Sequence, residues 1–177
     1  MKIITISGKA QHGKDLSATI LKEQLEQKGK KVLIVHQADY LKFICKEYFG
    51  WDGNKDEKGR NFLQETGTDK IRTRDCDFHV KILEIFINVF QYDYDYFIIA
   101  DVRFPNEITY FEDRGYEIYT MKVNRLNFEN SLTEEQRNHA SEIALDDYEF
   151  DHYLYAESGR NNLEKVICTL IRRLEYD

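Results

Sequence analysis

The sequence predicts an α/β fold with a parallel sheet, because short apolar runs alternate with helical periodicity along the chain. Residues 1–7 are a β-branched run that ends at a glycine, and residues 32–35 form a second apolar run. Leucine and isoleucine recur at helical spacing between them, over residues 14–28. A strand, helix and strand in this order need a crossover, which pairs the strands in parallel.

Three more strands are predicted further along the chain. They lie at residues 96–100, 116–123 and, as a shorter candidate, 153–155. Pro105, the only proline, opens a helix between the first two of these strands. The length of 177 residues and the hydrophobic content of 42% fit one domain, which we take as 1–177.

The remaining segments are predicted to be mostly helical. Residues 38–91 follow the second strand, and within them residues 80–90 are apolar on nearly all sides, as in a buried helix. Two polar stretches, 50–60 and 125–139, are predicted to be mobile insertions. Asn161 and Glu164 form a capping pair for a closing amphipathic helix. Its apolar stripe consists of Leu163, Val166, Ile167, Leu170, Ile171 and Leu174.

Composition narrows the class of protein. The formal net charge of −7 and the pI near 5.3 give the whole molecule a field that repels phosphates, so an anionic substrate needs a local cluster of cations. The same charge argues against binding of nucleic acid through many phosphate contacts. The three cysteines lie far apart without a CxxC pair, which argues for reduced thiols and against a zinc site.

The chain has no apolar run of membrane-spanning length, and its first residues lack the basic head and long apolar stretch of a signal peptide. We therefore expect a cytoplasmic protein that does not enter a membrane. The oligomeric state is left open between a monomer and a homodimer.

The clearest motif is GKAQHGK, which satisfies the pattern GxxxxGK between a predicted strand and a predicted helix. In this context the motif predicts a P-loop, whose backbone N–H groups surround the phosphates of a nucleotide such as ATP. Its lysine reaches the β- and γ-phosphates. The predicted phosphate-binding residues are Gly8, Lys9, Ala10, Gln11, His12, Gly13, Lys14 and Asp15.

Two carboxylates are candidate ligands of Mg²⁺, directly or through water. Asp15 stands where most P-loops have Ser or Thr, and Ser17 is an alternative to it. Asp101 follows an apolar strand, which is the Walker B pattern. Parallel strands place their carboxyl ends at one edge of the sheet, where ligands of such sheets bind.

Four arginines and one further acid are candidates for the same edge. Arg103 lies two residues after Asp101 and is able to grip phosphate with two hydrogen bonds. The others are Arg60 and Arg72 in the helical segment, Arg125 after the fourth strand, and Asp39 after the second.

With these residues in view, the sequence resembles the deoxynucleoside monophosphate kinases carried by bacteriophages, over nearly its whole length. The likeness is carried by GKAQHGKD at 8–15, LQETGTDKIR at 63–72, DVRFPNE at 101–107 and HASEIALDD at 139–147. That family also has Asp after the lysine of the P-loop. Ala156 and Leu16 depart from the family pattern.

The resemblance implies a nucleoside monophosphate kinase-like fold with a five-stranded parallel sheet, a helical acceptor-binding insertion at about 38–92 and a lid at about 125–140. It implies transfer of phosphate from ATP to a deoxynucleoside monophosphate, with Mg²⁺. The catalytic residues that it implies are Lys14, Asp15, Asp101, Arg103 and Arg125. The implied acceptor-binding residues are Asp39, Arg60, Arg72 and Arg103. The implied lid residues are Arg125, His139 and Glu142, and Ser141 lies in the same motif as the last two.

Three alternatives remain at this stage. A phosphomevalonate kinase also places Asp after the P-loop lysine in some of its members. A kinase that acts on hydroxymethylated bases in phage DNA shares much of the framework, although its polymeric substrate favours a basic groove. A regulatory module that binds nucleotide without transferring phosphate is the alternative from another class.

Overall fold

Five strands form one all-parallel sheet in the computed structural model, which describes the backbone of residues 1–174 and the side chains of residues 1–172. The strands are Lys2–Ser7 (β1), Val32–Val35 (β2), Tyr96–Ile99 (β3), Glu117–Arg125 (β4) and His152–Ala156 (β5). Their order across the sheet is β2-β3-β1-β4-β5. The predicted parallel α/β fold is therefore confirmed.

Helices fill the connections between these strands. They are Lys14–Gln27 (α1), Ala38–Phe49 (α2), Glu57–Gln64 (α3), Phe78–Phe90 (α4), Asn106–Glu112 (α5), Glu134–Arg137 (α6), Ala140–Ile143 (α7) and Arg160–Leu174 (α8). The π-helical segment Glu65–Arg72 continues α3. Among the described residues, no helix is both long and apolar enough to cross a membrane.

The register of the sheet decides which strand ends are neighbours. β1 lies in the centre, with Thr5 opposite Ile99 of β3 and Thr120 of β4. The loop that follows β1 and the residues that follow β3 therefore emerge side by side. Both lie at the carboxyl edge of the sheet, where parallel α/β proteins bind their ligands.

Both faces of the sheet are buried. Because side chains alternate along a strand, Ile4 and Ile98 face the layer of α1 and α8, whereas Ile3 and Phe97 face the layer of α4 and α5. The apolar stripe of α8 packs on the first face as predicted. The side chain of Leu174, the last position of that stripe, lies outside the described residues.

Two details of the predicted helices are wrong. α4 is buried on one face only: Val80 and Ile87 lie in the core, whereas Ile85 and Val89 are 67% and 64% exposed. α4 is an outer-layer helix, so only one side of it meets the sheet. α8 begins at Arg160, so Asn161 lies inside the helix and is not its N-cap.

Each of the two predicted insertions, 50–60 and 125–139, contains the start of a helix. Asp56 caps α3 by accepting a hydrogen bond from the Gly59 amide, so Arg60 lies within a helix. Thr133 and Gln136 form a reciprocal capping box on α6. All three cysteines are free thiols, and Cys45 is buried.

Candidate active site

The segment between β1 and α1 has the backbone geometry of a loop that surrounds an anion. Gly8 has φ +152°, and a Cβ there would lie 2.6 Å from the carbonyl oxygen of Val123. Gly13 has φ +96° and directly precedes α1. Because L side chains rarely adopt such angles, both positions of the motif require glycine. The N-terminus of the 14-residue helix α1 follows this loop.

Lys14 is folded back onto this loop. Its Nζ donates hydrogen bonds to the carbonyl oxygens of Gly8, at 2.7 Å, and Lys9, at 3.1 Å. Burial, followed by the positive charge of Arg103, lowers the pKa of Lys14 to about 7. The carboxylates of Glu142, Asp15 and Asp101 act in the opposite direction but do not offset burial. The predicted phosphate-binding lysine is therefore a buried cation whose charge is easily lost.

A carboxylate occupies the anion-binding side of the loop. Glu142 Oε2 accepts a hydrogen bond from the Ala10 amide at 3.0 Å, and Glu142 Oε1 pairs with the guanidinium of Arg103. Arg103 also donates to the carbonyl oxygen of Ser141 at 3.2 Å. The Glu142 side chain is only 5% exposed. The carboxylate of Glu142 therefore occupies one loop amide and one arginine that the sequence analysis assigned to phosphate binding.

The two candidate magnesium ligands differ in their surroundings. Asp15 is 85% exposed and lies 3.5 Å from His36, and its hydrogen bond with that ring lowers the pKa of Asp15 and raises the pKa of His36. Asp101 instead accepts hydrogen bonds from the backbone amides of Gln37 and Ala38, at 2.8 and 3.0 Å. Asp101 therefore holds the N-terminus of α2, which the sequence pattern did not predict.

No group of three or more Asp, Glu, His or Cys side chains among the described residues could hold a metal by itself. Mg²⁺ usually keeps several waters and binds one or two carboxylates together with substrate phosphates. Asp15, exposed beside the P-loop, fits that requirement. Asp101 fits it less well, because each of its oxygens already accepts one backbone hydrogen bond.

Arg72 lies in a buried ion pair. Its guanidinium donates to Glu107 Oε1 at 2.9 Å and stacks 3.6 Å from the centre of the Phe104 ring. The other carboxylate oxygen of Glu107 accepts from the backbone amides of Arg103 and Phe104, at 2.7 and 3.2 Å. Burial raises the pKa of Glu107 to about 7, against the lowering effect of these amides and Arg72. Glu107 thereby contacts both Arg72 and Arg103, two of the arginines predicted to bind the acceptor.

One cavity of about 900 Å³ brings most of the candidates together. Asp39 lies on its wall and pairs with Lys42 at 2.7 Å. Arg60 lies there too, donating from Nε to the carbonyl oxygen of Lys55 at 3.0 Å. The sequence candidates that line this cavity are Ala10, Gln11, Lys14, Asp15, Asp39, Arg60, Arg72, Asp101, Arg103, Ser141 and Glu142.

Arg125 and His139 are not among the residues that line the cavity. Arg125, the last residue of β4, donates from Nε to Ser158 Oγ at 2.9 Å and stacks 3.8 Å from the Phe128 ring centre. His139 caps α7, with Nδ1 accepting from the Ser141 amide at 3.2 Å. Arg125 instead contacts the P-loop, where its Nη1 donates to the carbonyl oxygen of Gln11 at 3.3 Å. His139 holds the N-terminus of α7.

His12 has a contact that the sequence did not indicate. Its Nδ1 accepts a hydrogen bond from the Arg125 amide at 3.2 Å, and its ring packs edge-on against Phe128. Burial and the neighbouring charge of Lys14 lower its pKa. The imidazole therefore ties the P-loop to the end of β4.

Many further residues line the cavity without having been sequence candidates, among them Gln37, His79, Phe104 and Glu107. Phe104 and Glu107 lie inside the motif DVRFPNE, so that motif was the available signal. Gln37 and His79 carry no sequence signal, because their importance depends on burial in the folded chain.

The fold is that of the P-loop kinases. No family model and no curated protein sequence matches the chain. Among solved structures, it is similar to an APS kinase of Mycobacterium tuberculosis in complex with AMPPNP and APS, at 10% identity and a TM-score of 0.54, covering 98% of this chain and 97% of the other.

Two other P-loop kinases are similar over comparable lengths. The shikimate kinase of Aquifex aeolicus has 13% identity and a TM-score of 0.52, with 98% and 96% of the two chains covered. The dephospho-CoA kinase of Campylobacter jejuni has 11% identity and a TM-score of 0.52, with 97% and 96% covered. At these identities the likeness establishes the fold, and the acceptor must be inferred from the site.

Proposed function

We propose that this protein is a kinase that transfers the γ-phosphoryl group of ATP to the 5′-phosphate of a deoxynucleoside monophosphate. The observation that carries the proposal is the convergence of Lys14, Arg103 and Arg72 on one cavity beside the P-loop. Together with Lys42, Lys55 and Arg60, which line the same cavity, they provide the local positive charge that a molecule of net charge −7 needs to bind two anionic substrates. The resemblance of four sequence motifs to those of the phage kinases supports the choice of acceptor.

The P-loop is the proposed donor site. Its amides and Lys14 bind the β- and γ-phosphates of ATP, and the contact of the Ala10 amide with Glu142 supports this, since that amide already donates a hydrogen bond to an anion. The phosphates displace the Glu142 carboxylate from the loop and draw Lys14 away from the carbonyls of Gly8 and Lys9.

Arg72 and Arg103 are the proposed acceptor-phosphate residues. A phosphate oxygen of the acceptor is already anionic at neutral pH, so the reaction needs no general base. The work of the protein is alignment and neutralisation of charge on the migrating group. Glu107 contacts the Arg72 side chain and the Arg103 backbone, and this shared partner keeps the two arginines at a fixed separation.

Asp15 is the proposed protein ligand of Mg²⁺, directly or through water. Asp101 is the second, less well suited candidate ligand. When bound, Mg²⁺ neutralises charge on the ATP phosphates. His36 pairs with Asp15 in this structure, so the Asp15 carboxylate is held close to the mouth of the P-loop. Asp101 keeps the N-terminus of α2, and with it the adjacent wall of the cavity, in position.

The division of the chain into parts is also proposed. Residues 38–92 are the acceptor-binding insertion, because Arg60 and Arg72 reach the cavity from this segment. Residues 125–140 are the lid, whose closure over the substrates excludes water and so prevents hydrolysis of ATP.

The test is production of ADP by the purified protein with ATP and Mg²⁺. We expect turnover with at least one of dAMP, dCMP, dGMP and dTMP, and a much slower background without an acceptor. Phosphomevalonate and DNA with hydroxymethylated bases serve as rival acceptors in the same assay. Turnover with either rival alone, or no turnover at all, would refute the proposed acceptor.

A further inference from the structure

Two buried polar side chains in the wall of the cavity have atoms without hydrogen-bond partners. Gln37 is 7% exposed, and neither Oε1 nor Nε2 of its amide has a partner among the described residues. His79 is 8% exposed, and its Nδ1 has no partner there either. Both residues line the same cavity as Lys14 and Arg72.

Such atoms are unusual in a folded protein. More than nine in ten buried polar groups are hydrogen-bonded, because an unpaired buried donor or acceptor loses its water without compensation. Three such atoms, on two side chains that line one cavity, therefore point to a ligand that binds in that cavity. The occupant must offer both a donor and an acceptor, because a carboxamide has one of each.

The two side chains lie on the acceptor side of the cavity. The backbone amide of Gln37 donates to Asp101, which fixes the residue between β2 and α2. His79 lies in the first turn of α4, where the charges of Arg72 and Asp101 both act on it. Its ring packs edge-on against Phe78, with ring centres 5.4 Å apart.

Their chemistry suits an uncharged partner. Gln37 carries no charge, and burial, followed by the charge of Arg72, lowers the pKa of His79, which keeps its ring neutral near pH 7. Phosphate is better served by the arginines of the same cavity. The edge of a nucleobase presents adjacent donors and acceptors, which a carboxamide and a neutral imidazole can both match.

We propose that Gln37 and His79 bind the hydrogen-bonding edge of the acceptor nucleobase and so determine which base the enzyme prefers. This inference rests on the proposed function, since it assigns the base of the same acceptor whose phosphate Arg72 and Arg103 bind. The phosphate and the base are then held by different groups in one cavity, the first by cations and the second by neutral side chains.

The main test is the variant Gln37→Met, which keeps the length of the side chain and removes its donor and acceptor. We expect kcat/KM for the preferred deoxynucleoside monophosphate to fall at least about tenfold, and the ratio between the best and the worst base to narrow. The KM for ATP should stay within about twofold of its original value. Gln27, exposed at the end of α1, provides the matched control Gln27→Met.

Stability separates a ligand-binding role from a structural one. Because the side-chain amide of Gln37 has no partner among the described residues, its replacement by an apolar group should leave the Tm unchanged or raise it. A lowered Tm together with equal losses toward ATP and all four bases would overturn the inference, since that pattern marks a structural contact.

For His79, the pair His79→Leu and His79→Asn provides the same contrast. Asparagine retains a polar atom near the position of Nδ1, whereas leucine does not. We expect at least about a tenfold loss of kcat/KM for the preferred acceptor in the leucine variant and a smaller loss in the asparagine variant. Equal losses in the two variants would contradict a hydrogen bond through Nδ1.

A phosphorylated sugar without a base completes the design. We expect 2-deoxyribose 5-phosphate to compete with the acceptor equally well in the original protein and in Gln37→Met. Weaker competition in the variant would overturn the inference in favour of a sugar or phosphate contact. Unchanged acceptor kinetics with a raised Tm would overturn it in favour of water at these atoms.

Different results would refute the proposed function and the assignment of the base-binding residues. If the original protein phosphorylates no deoxynucleoside monophosphate, the proposed function and this inference are both refuted. If the original protein is active and Gln37→Met retains its base preference, only the inference is refuted.

Discussion

Lys14 combines a positive charge with nearly complete burial, and this combination makes its protonation sensitive to an anion. Burial lowers its pKa to about 7 in the free protein, so at pH 8 we expect a neutral lysine in most molecules. Phosphates beside the amine favour its charged form and raise the pKa again. Binding of nucleotide at pH 8 is therefore expected to take up a proton.

We predict an uptake approaching one proton at pH 8 and little uptake at pH 6, where Lys14 is already protonated. The measurement is calorimetry with a non-hydrolysable ATP analogue in buffers of different ionisation enthalpy. In the control, Lys14→Ala should fold, lose turnover by orders of magnitude and show no such uptake. The same uptake in that variant would mean that another group titrates.

Arg72 shows how a functional charge can be coupled to stability. Its side chain is 12% exposed and that of Glu107 is 6% exposed. Breaking such a pair costs at most about 3–5 kcal/mol. Near neutral pH the cost is lower, because Glu107, whose pKa is already about 7, takes up a proton when its cation is lost. The loss of a charge-assisted bond to phosphate costs about 1.5–3 kcal/mol as well, at least roughly tenfold in kcat/KM.

We predict that Arg72→Ala lowers both the Tm and kcat/KM for the acceptor, with a far smaller effect on the KM for ATP. Adding Glu107→Gln removes the buried charge while keeping an oxygen for the amides of Arg103 and Phe104. The double variant should recover part of the stability and none of the acceptor kinetics. Recovery of both would assign Arg72 to the fold alone.

At the scale of elements, the short helix α7 brings an acidic side chain onto the P-loop. Glu142 contacts the Ala10 amide and Arg103, both of which are proposed phosphate contacts. Its carboxylate therefore competes with nucleotide for the same groups. Opening of the 139–143 segment and binding of ATP are expected to be coupled.

We predict that Glu142→Gln binds ATP at least roughly threefold more tightly, about 0.7 kcal/mol, because a neutral amide competes less well with phosphate. Equilibrium binding of a non-hydrolysable analogue measures this. Glu135→Gln, at an exposed position on α6, is the matched control. Weaker binding by Glu142→Gln would show that the carboxylate positions Arg103 for nucleotide instead.

For the whole molecule, the proposed donor and acceptor sites share one cavity and have different residues. Two ligands that bind only the folded state each add stability by mass action, about 2.7 kcal/mol at one hundred times the dissociation constant. For a chain of this size that corresponds to a Tm shift of roughly 5–10 °C per ligand.

We predict that a non-hydrolysable ATP analogue with Mg²⁺ and a deoxynucleoside monophosphate together raise the Tm by more than either ligand alone. Thermal unfolding monitored by intrinsic fluorescence measures the shift, with phosphomevalonate as the comparison acceptor. A combined shift no larger than the shift with the ATP analogue alone would place both ligands in one site. Sedimentation would decide between a monomer and a homodimer, which the sequence leaves open.

The sequence by itself determined the layout of the fold and the position of the P-loop. These features depend on local rules: β-branched runs form strands, helical periodicity forms helices, and GxxxxGK requires glycines whose backbone angles other residues avoid. Gly8 and Gly13 adopt those angles, and the predicted strands agree with the observed ones to within two residues.

Only the tertiary structure decided which charges meet and which polar atoms stay unpaired. Glu142 and Ala10 are 132 residues apart in sequence and hydrogen-bonded in space, and Arg72 meets Glu107 across 35 residues. The burial of Gln37 and His79 likewise depends on how α2 and α4 stand against the sheet. Such contacts follow from the packing of whole elements, whereas periodicity reports only which face of one element is apolar.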